Sequence, residues 1–153
     1  MRGPTGGRRA GLVPHPALEG VNDGPARAAR LAARIRALDG PDALVCGTGD
    51  DLAPGVLALL ERGAQALPLF EAASTAFETF GNHDFDFGTE RALELAAAST
   101  PTWLTVNVSR AGGADLGADG VRATALREVA GSRVGLFGVT TPLTAETGDR
   151  VAD

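Results

Sequence analysis

Residues 80–88 read FGNHDFDFG, the segment of the chain that stands out most. Its first residue ends a predicted strand at 77–80, and its two glycines allow the backbone to turn and to approach a ligand closely. The amide of Asn82, the imidazole of His83 and the carboxyl groups of Asp84 and Asp86 lie within five residues. Such a set suits metal or phosphate binding and proton transfer. An Asx-type turn with a solvated histidine is the alternative interpretation.

A second polar loop lies upstream of the first. Residues 47–51 read GTGDD and follow the apolar run 43–46, which is typical of a buried strand that ends in a Gly-rich loop. An Asp at the carboxyl end of a strand is a common metal or phosphate position, although acidic turn residues are more often solvated or capping. Two such loops can direct carboxylate and amide oxygens to one place, where two metal ions bridged by an Asp would hold a phosphate.

The rest of the pattern predicts strands that alternate with helices. A helix is predicted to begin at Pro25, capped by Asn22 or Asp23, with an apolar stripe of Leu31, Ile35 and Leu38. Further helices are predicted at 54–62, 64–73 and 89–98, and further strands at 103–108, 121–129 and 133–139. Alternation of this kind indicates an α/β fold with functional loops at the strand ends.

Composition excludes several classes of protein. The chain has 153 residues, which suits one domain, and 44% hydrophobic with 22% charged residues is ordinary for a globular protein. The net charge is −5 and every basic residue is Arg, so the chain lacks the basic face that nucleic-acid binding needs. The sequence has neither an apolar run of about 20 residues nor the apolar core of a signal peptide. We therefore expect a cytoplasmic protein with no nucleic-acid or membrane partner.

Two residues with possible chemistry are better explained by packing. Cys46 is the single cysteine, and its apolar neighbours favour a buried small side chain over a reactive thiol. Trp103 is more typical of a core residue than of a base-stacking platform. Phe85 and Phe87 are expected to pack beneath the 80–88 loop.

Together the two loops resemble the calcineurin-like metallophosphoesterases, most closely the 5'-nucleotidase branch. The resemblance is carried by Gly49-Asp50 and, about 30 residues later, by 81–88. The runs 103–108 (WLTVNV) and 133–141 (RVGLFGVTT) resemble two later strands of that branch. The resemblance implies a layered α/β sandwich of the metallophosphoesterase type that is incomplete, with only the first half of the domain. Residues 17–153 would form this partial catalytic domain, after an irregular segment at 1–16.

The resemblance also implies roles for individual residues. Asp50 would bridge two divalent metal ions (Mn, Zn, Mg or Fe), and Asn82 would bind the second ion through its side-chain oxygen. His83 would stabilise developing charge or protonate the leaving oxygen, and Asp84 would orient His83. The implied reaction is metal-dependent hydrolysis of phosphate monoesters, with nucleotides as the substrate class.

Part of the family's metal site is missing from the sequence. The family opens with a strand carrying Asp-x-His, whereas this chain offers Ala17-Leu18-Glu19, in which Glu19 is a partial substitute. The preceding stretch 12–16 is expected to be a poor strand, because proline removes donors from the ladder. The chain has two histidines, His15 and His83, and the Pro neighbours of His15 indicate a loop. We therefore expect an incomplete two-metal site.

Other functions remain open at this point. The chain could be a truncated or degenerate non-catalytic relative, or half of a split site completed by a partner chain or by self-association. It could also be a small-ligand-binding α/β module that uses both loops without a metal.

Overall fold

The computed structural model describes residues 11–15, 25–38, 40, 42–110, 113–114, 116 and 119–142. The strands in this part of the chain are β1 (Gly11–His15), β2 (Ala43–Gly47), β3 (Phe77–Thr79), β4 (Thr102–Leu104), β5 (Val121–Arg122), β6 (Thr124–Val129) and β7 (Ser132–Phe137). The α-helices are α1 (Pro25–Arg36), α2 (Val56–Glu61), α3 (Leu67–Ala73) and α4 (Thr89–Ala98). Short 3-10 helices cover Ala64–Ala66 and His83–Phe85.

A parallel sheet carries the candidate site. Among the described strands its order is β1-β2-β3-β4-β5, and each neighbouring pair is parallel. Helices connect the successive strands β1 to β4, which is the usual way for a chain to return to the same edge of a sheet. The predicted α/β class is confirmed. Because the strands run in one direction, the loops after β2 and β3 leave from the same edge.

A hairpin forms a second, smaller sheet. Strands β6 and β7 pair antiparallel, with Val129 opposite Ser132 on either side of the turn. The prediction of one strand at 121–129 was therefore wrong. Residues 121–122 pair with β4 in the parallel sheet, and the chain then leaves that sheet to build the hairpin.

Strand β1 differs from the expectation for the first segment. Gly11–His15 pairs with β2 along its whole length, with Pro14 opposite Cys46 and His15 opposite Gly47. The stretch is therefore a strand despite its proline. Among the described strands β1 lies at the edge of the sheet, where a residue needs ladder hydrogen bonds on one side only, so proline is tolerated.

Some predicted helix details also change. From residue 28 to the end of α1 the buried side chains are Ala28, Ala32 and Ile35, whereas Leu38 lies past the helix end and is 63% exposed. The predicted caps Asn22 and Asp23 lie outside the described residues. Helix α4 begins at Thr89 as predicted, and its N-cap residue is Gly88, which has no side chain to accept a hydrogen bond from the first turn.

Aromatic rings form the core directly beneath the 80–88 loop. The ring centroids of Phe80 and Trp103 lie 4.6 Å apart, and those of Phe80 and Phe85 lie 5.1 Å apart. Phe70 packs edge-on against Trp103 at 5.9 Å. The indole N–H of Trp103 donates to Ser99 Oγ at 2.8 Å, so its polar atom is satisfied within the core. The prediction that Trp103 is a core residue is confirmed.

The hairpin is joined to the parallel sheet near the site. Asn107 and Thr140 exchange two hydrogen bonds, from Asn107 Nδ2 to the Thr140 carbonyl (2.6 Å) and from the Thr140 N–H to Asn107 Oδ1 (2.9 Å). Thr140 Oγ1 also donates to the carbonyl of Phe80. The two runs 103–108 and 133–141 therefore meet, and their contact reaches the start of the 80–88 loop.

Within the described ranges, the helices are too short or too polar to cross a lipid bilayer. Several large apolar side chains are nevertheless exposed to solvent. They belong to α2 (Val56, Leu59, Leu60) and to the hairpin and its flanks (Leu126, Phe137, Val139).

Removal of a ring tests whether these aromatic side chains form the core. Phe85 is fully buried, so we expect Phe85→Ala to lower the free energy of unfolding by about 3–5 kcal/mol. Phe137→Ala, at a ring that is 67% exposed, is the matched control and should cost much less. Urea unfolding followed by circular dichroism measures both, and equal losses would contradict the assignment of the core.

Candidate functional site

The two polar loops meet at the edge where β2 and β3 end. Asp50 follows β2, and its Oδ1 accepts a hydrogen bond from the backbone N–H of His83, in the loop after β3, at 2.8 Å. Asn82 immediately precedes His83, is half-buried, and is the N-cap of the short 3-10 helix. The structure therefore brings Asp50, Asn82 and His83 together, as the sequence predicted for two loops on neighbouring strands.

Glycine is required for the two loops to come this close. A Cβ on Gly49 would lie 2.5 Å from the backbone N of Gly81, and a Cβ on Gly81 would overlap the carboxylate of Asp50. Gly49 also has a φ of +88°, and Asp50 follows it in the left-handed region at φ 60°. Asp tolerates that region better than most residues. The backbone of one loop thus packs against the backbone of the other.

Asp84 joins the two loops through a buried carboxyl group. Among the described residues, its oxygens accept hydrogen bonds from the N–H groups of Asp50 (2.9 Å), Leu52 (2.9 Å) and Gly81 (2.8 Å). Burial raises the pKa of Asp84 to about 7, while the same backbone donors act in the opposite direction. The residue therefore ties one site loop to the other.

The predicted partner of His83 needs correction. Asp84 was expected to orient the imidazole, but its oxygens contact backbone N–H groups, and Asp86 Oδ2 lies 3.0 Å from His83 Nδ1. The reason is local geometry. His83–Phe85 is a 3-10 helix, and side chains three residues apart lie above one another in such a turn. The spacing of His83 and Asp86 was visible in the sequence, but its meaning depended on the type of turn.

Two further buried acids lie next to the site. Asp51 and Glu78 are 2% and 1% exposed, and Glu78 Oε1 accepts a hydrogen bond from the N–H of Gly49 at 3.1 Å. Burial, followed by the charge of Asp51, raises the pKa of Glu78 well above its usual range. Glu78 was not singled out from the sequence, because a lone Glu within a short strand carries no motif.

The remaining candidates contribute less. Burial and the nearby Glu78 raise the pKa of Cys46 to about 11, which agrees with the preference for a packing role over a reactive thiol. Phe85 is buried beneath the loop as expected, whereas Phe87 is partly exposed and lies under the guanidinium of Arg62. Glu19 lies outside the described residues. The backbone of His15 ends β1 beside Gly47, which places it near the same edge of the sheet.

Comparison with solved structures identifies the fold. The chain is similar to the 5'-nucleotidase precursor from Thermus thermophilus (TM-score 0.63, 22% identity, 80% of this chain and 24% of that one). It is similar to the NAD nucleotidase of Haemophilus influenzae (TM-score 0.66, 24% identity, 77% and 21%). It is also similar to the calcineurin-like phosphoesterase YfkN from Bacillus subtilis (TM-score 0.64, 17% identity, 88% and 49%). At these identities the likeness shows the fold, which is the expected metallophosphoesterase-type α/β fold.

The chain spans about a fifth to a half of the length of these structures. This share agrees with the prediction that it corresponds to one part of such a domain. No protein-family model matches the sequence, and no curated protein matches it.

The role of Asp84 as the junction of the two loops can be tested by an isosteric change. Asp84→Asn replaces one acceptor oxygen by an NH₂ group, which faces a backbone donor and leaves it unsatisfied. We expect a loss of about 1–3 kcal/mol in the free energy of unfolding. Asp119→Asn, at an exposed carboxylate, is the matched control. Equal urea midpoints for the two variants would contradict the role of Asp84.

The raised pKa of Asp84 predicts a specific dependence of stability on pH. Between about pH 4 and pH 7 the folded protein holds a proton that the unfolded chain has already released, so the free energy of unfolding should fall as pH rises. Asp84→Asn removes this contribution and should give a shallower slope. Urea unfolding of both proteins at about pH 5, 6 and 7 measures the difference. Parallel slopes would show that Asp84 is ionised in the folded state throughout.

Proposed function

We propose that this chain takes part in the metal-dependent hydrolysis of phosphate monoesters, with nucleotides as the substrate class. The observation that carries the proposal is the contact of Asp50 with the backbone of His83, beside Asn82. This contact joins the Asp50 carboxylate to the backbone of the loop that carries Asn82 and His83. The proposal is supported by the fold, which the chain shares with solved nucleotidases and phosphoesterases.

The oxygen donors of Asp50 and Asn82 are of the type that a hard divalent cation prefers. Carboxylate and amide oxygens suit Mg²⁺ and Mn²⁺, and Asp50 and the side-chain oxygen of Asn82 are the residues that would hold the ions. Within the described ranges, no group of three or more His, Cys, Asp and Glu residues is placed to hold an ion by itself. These residues therefore supply part of a donor set, to which Glu19 is a further proposed contributor. Bound ions would neutralise phosphate charge and lower the pKa of a coordinated water.

His83 is the proposed proton donor and charge-stabilising group. Its side chain is 35% exposed, so a substrate can reach the ring from solvent. Asp86 at Nδ1 fixes the orientation of the ring and favours the form that carries a proton on that nitrogen. In the proposal, the ring is protonated on both nitrogens, and Nε2 gives its proton to the phosphate or to the leaving oxygen while Nδ1–H donates to Asp86. Asp86 therefore takes the orienting role first expected of Asp84, and Asp84 holds the loop that carries His83.

A second candidate function is that of a partial site which another polypeptide completes. Two observations favour it: the incomplete donor set among the described residues, and the exposed apolar side chains of α2 and the hairpin. Exposed apolar residues that cluster are typical of surfaces that meet another chain. Under this alternative the chain alone binds metal weakly, and nucleotide turnover appears only after a complementing chain is added.

Metal binding by the full chain tests the proposal directly. We expect the wild-type chain to bind Mn²⁺ and Asp50→Asn to bind it at least about 10-fold more weakly, because the bridging carboxylate is lost. Asp119→Asn is the control for a change of charge at an exposed position. Electron paramagnetic resonance of free Mn²⁺ during a titration gives both dissociation constants.

The same samples separate the possible functions. Adenosine monophosphate binding that requires Mn²⁺ supports the phosphoesterase proposal, and turnover only on mixing with a second chain supports the split site. Nucleotide binding that survives chelation of the metal would indicate a metal-independent binding module. A wild-type chain that binds no Mn²⁺ and matches Asp50→Asn would refute the metal site.

A further inference from the structure

Glu78 is a buried acid that the proposed reaction does not use. It lies on β3 and is 1% exposed. Its Oε1 accepts hydrogen bonds from the N–H of Gly49 at 3.1 Å and from the N–H of Thr79 at 2.9 Å. Gly49 immediately precedes Asp50, so one oxygen of Glu78 holds the residue on the near side of the proposed bridging ligand.

A second buried acid lies near Glu78. Asp51, which follows Asp50 in the chain, is 2% exposed, and its charge acts on the carboxyl group of Glu78. The contact that fixes the backbone beside Asp50 is the hydrogen bond from the Gly49 N–H to Glu78 Oε1.

The loop needs this support because the backbone ladder ends before it. In the described part of the chain, β2 and β3 are paired at Cys46 and Phe77. Gly49 and Asp50 then take left-handed conformations, which cannot continue a strand. A buried N–H in such a loop requires an acceptor, and Glu78 supplies it for Gly49.

Gly47 provides the space that the acid occupies. A Cβ at this position would overlap the carboxyl group of Glu78. The absence of a side chain at the last residue of β2 therefore leaves room for the carboxyl group of Glu78 on the neighbouring strand. A solvent-exposed Glu would not need a glycine beside it.

We propose that Glu78 is a positioning residue for Asp50, which it holds in place through the N–H of Gly49 so that the Asp50 carboxylate faces the loop of Asn82 and His83. The importance of this positioning for metal binding rests on the proposed function. The hydrogen-bond arrangement itself does not, and it can be measured separately.

The experiment uses the full chain and three variants that act on this one contact. Glu78→Ala removes the acceptor, Gly47→Ala keeps the acid but displaces it, and Glu78→Gln keeps an acceptor oxygen for the N–H of Gly49. Glu71→Ala, at an exposed acid, and Gly135→Ala, where a Cβ meets open space, are matched controls. The readouts are hydrogen exchange of the Gly49 N–H by NMR and the Mn²⁺ dissociation constant.

We expect Glu78→Ala and Gly47→Ala to speed exchange at Gly49 by about 10-fold or more. We also expect them to weaken Mn²⁺ binding by about 10- to 100-fold, as losses of supporting contacts around a metal do. Glu78→Gln should stay near wild type in both readouts, which a general loss of stability would not reproduce. Gly47→Ala should add little in a Glu78→Ala background, because the overlap is then gone.

The proposal is overturned if Glu78→Ala and Gly47→Ala match their controls, or if Glu78→Gln is as damaging as Glu78→Ala. Should Glu78→Ala not fold, Gly47→Ala and Glu78→Gln give the same decision. If the wild-type chain binds no Mn²⁺, the proposed function fails while exchange at Gly49 still decides whether Glu78 holds the loop.

Discussion

The buried carboxyl group of Asp84 holds the two halves of the candidate site to each other. One of its oxygens accepts from Asp50 and Gly81, and the other accepts from Leu52. The donors belong to the loop after β2 and to the turn that opens the 80–88 stretch, so a single side chain sets the distance between them. The return contact, from the His83 N–H to the Asp50 carboxylate, closes a ring of hydrogen bonds around the two glycines. These hydrogen bonds fix the backbone on either side of Asn82, at Gly81 and at His83.

Below the ring, the structure depends on apolar packing and on a second acid. The rings of Phe80 and Phe85, which belong to the 80–88 loop, pack with Trp103 in the core. Thr140, just after the hairpin, donates a hydrogen bond to the carbonyl of Phe80. Glu78 supports the other loop from β3. The site therefore has an apolar base beneath one loop and a polar anchor beneath the other. The polar anchor is the less common of the two, since a buried carboxyl group is stable only when its hydrogen bonds are made.

The sequence predicted that the two loops come together better than it predicted the contacts between them. Glycines and polar residues after apolar runs identified both loops, and parallel strands necessarily brought them together. The pairing of His83 with Asp86 depended on the 3-10 turn at His83–Phe85, a type of turn that the sequence pattern does not specify. The strand at Gly11–His15 was missed because proline lacks a backbone N–H and therefore argues against a strand. That this strand lies at the edge of the sheet, where proline is tolerated, depends on tertiary contacts. The separation of β5 from β6 depends on tertiary contacts in the same way.

The atoms that Asp84 and Glu78 bind in the two loops are largely main-chain N–H groups, which every residue except proline carries. The side chain of Leu52, for example, has no part in the hydrogen bond that its N–H donates to Asp84. Such contacts constrain the acceptor residue and the path of the backbone, and they leave the donor residues free to differ in identity. Contacts of this kind depend on the path of the backbone more than on the identity of the donor residues. A shared fold is therefore compatible with identities of 17–24% to the solved structures.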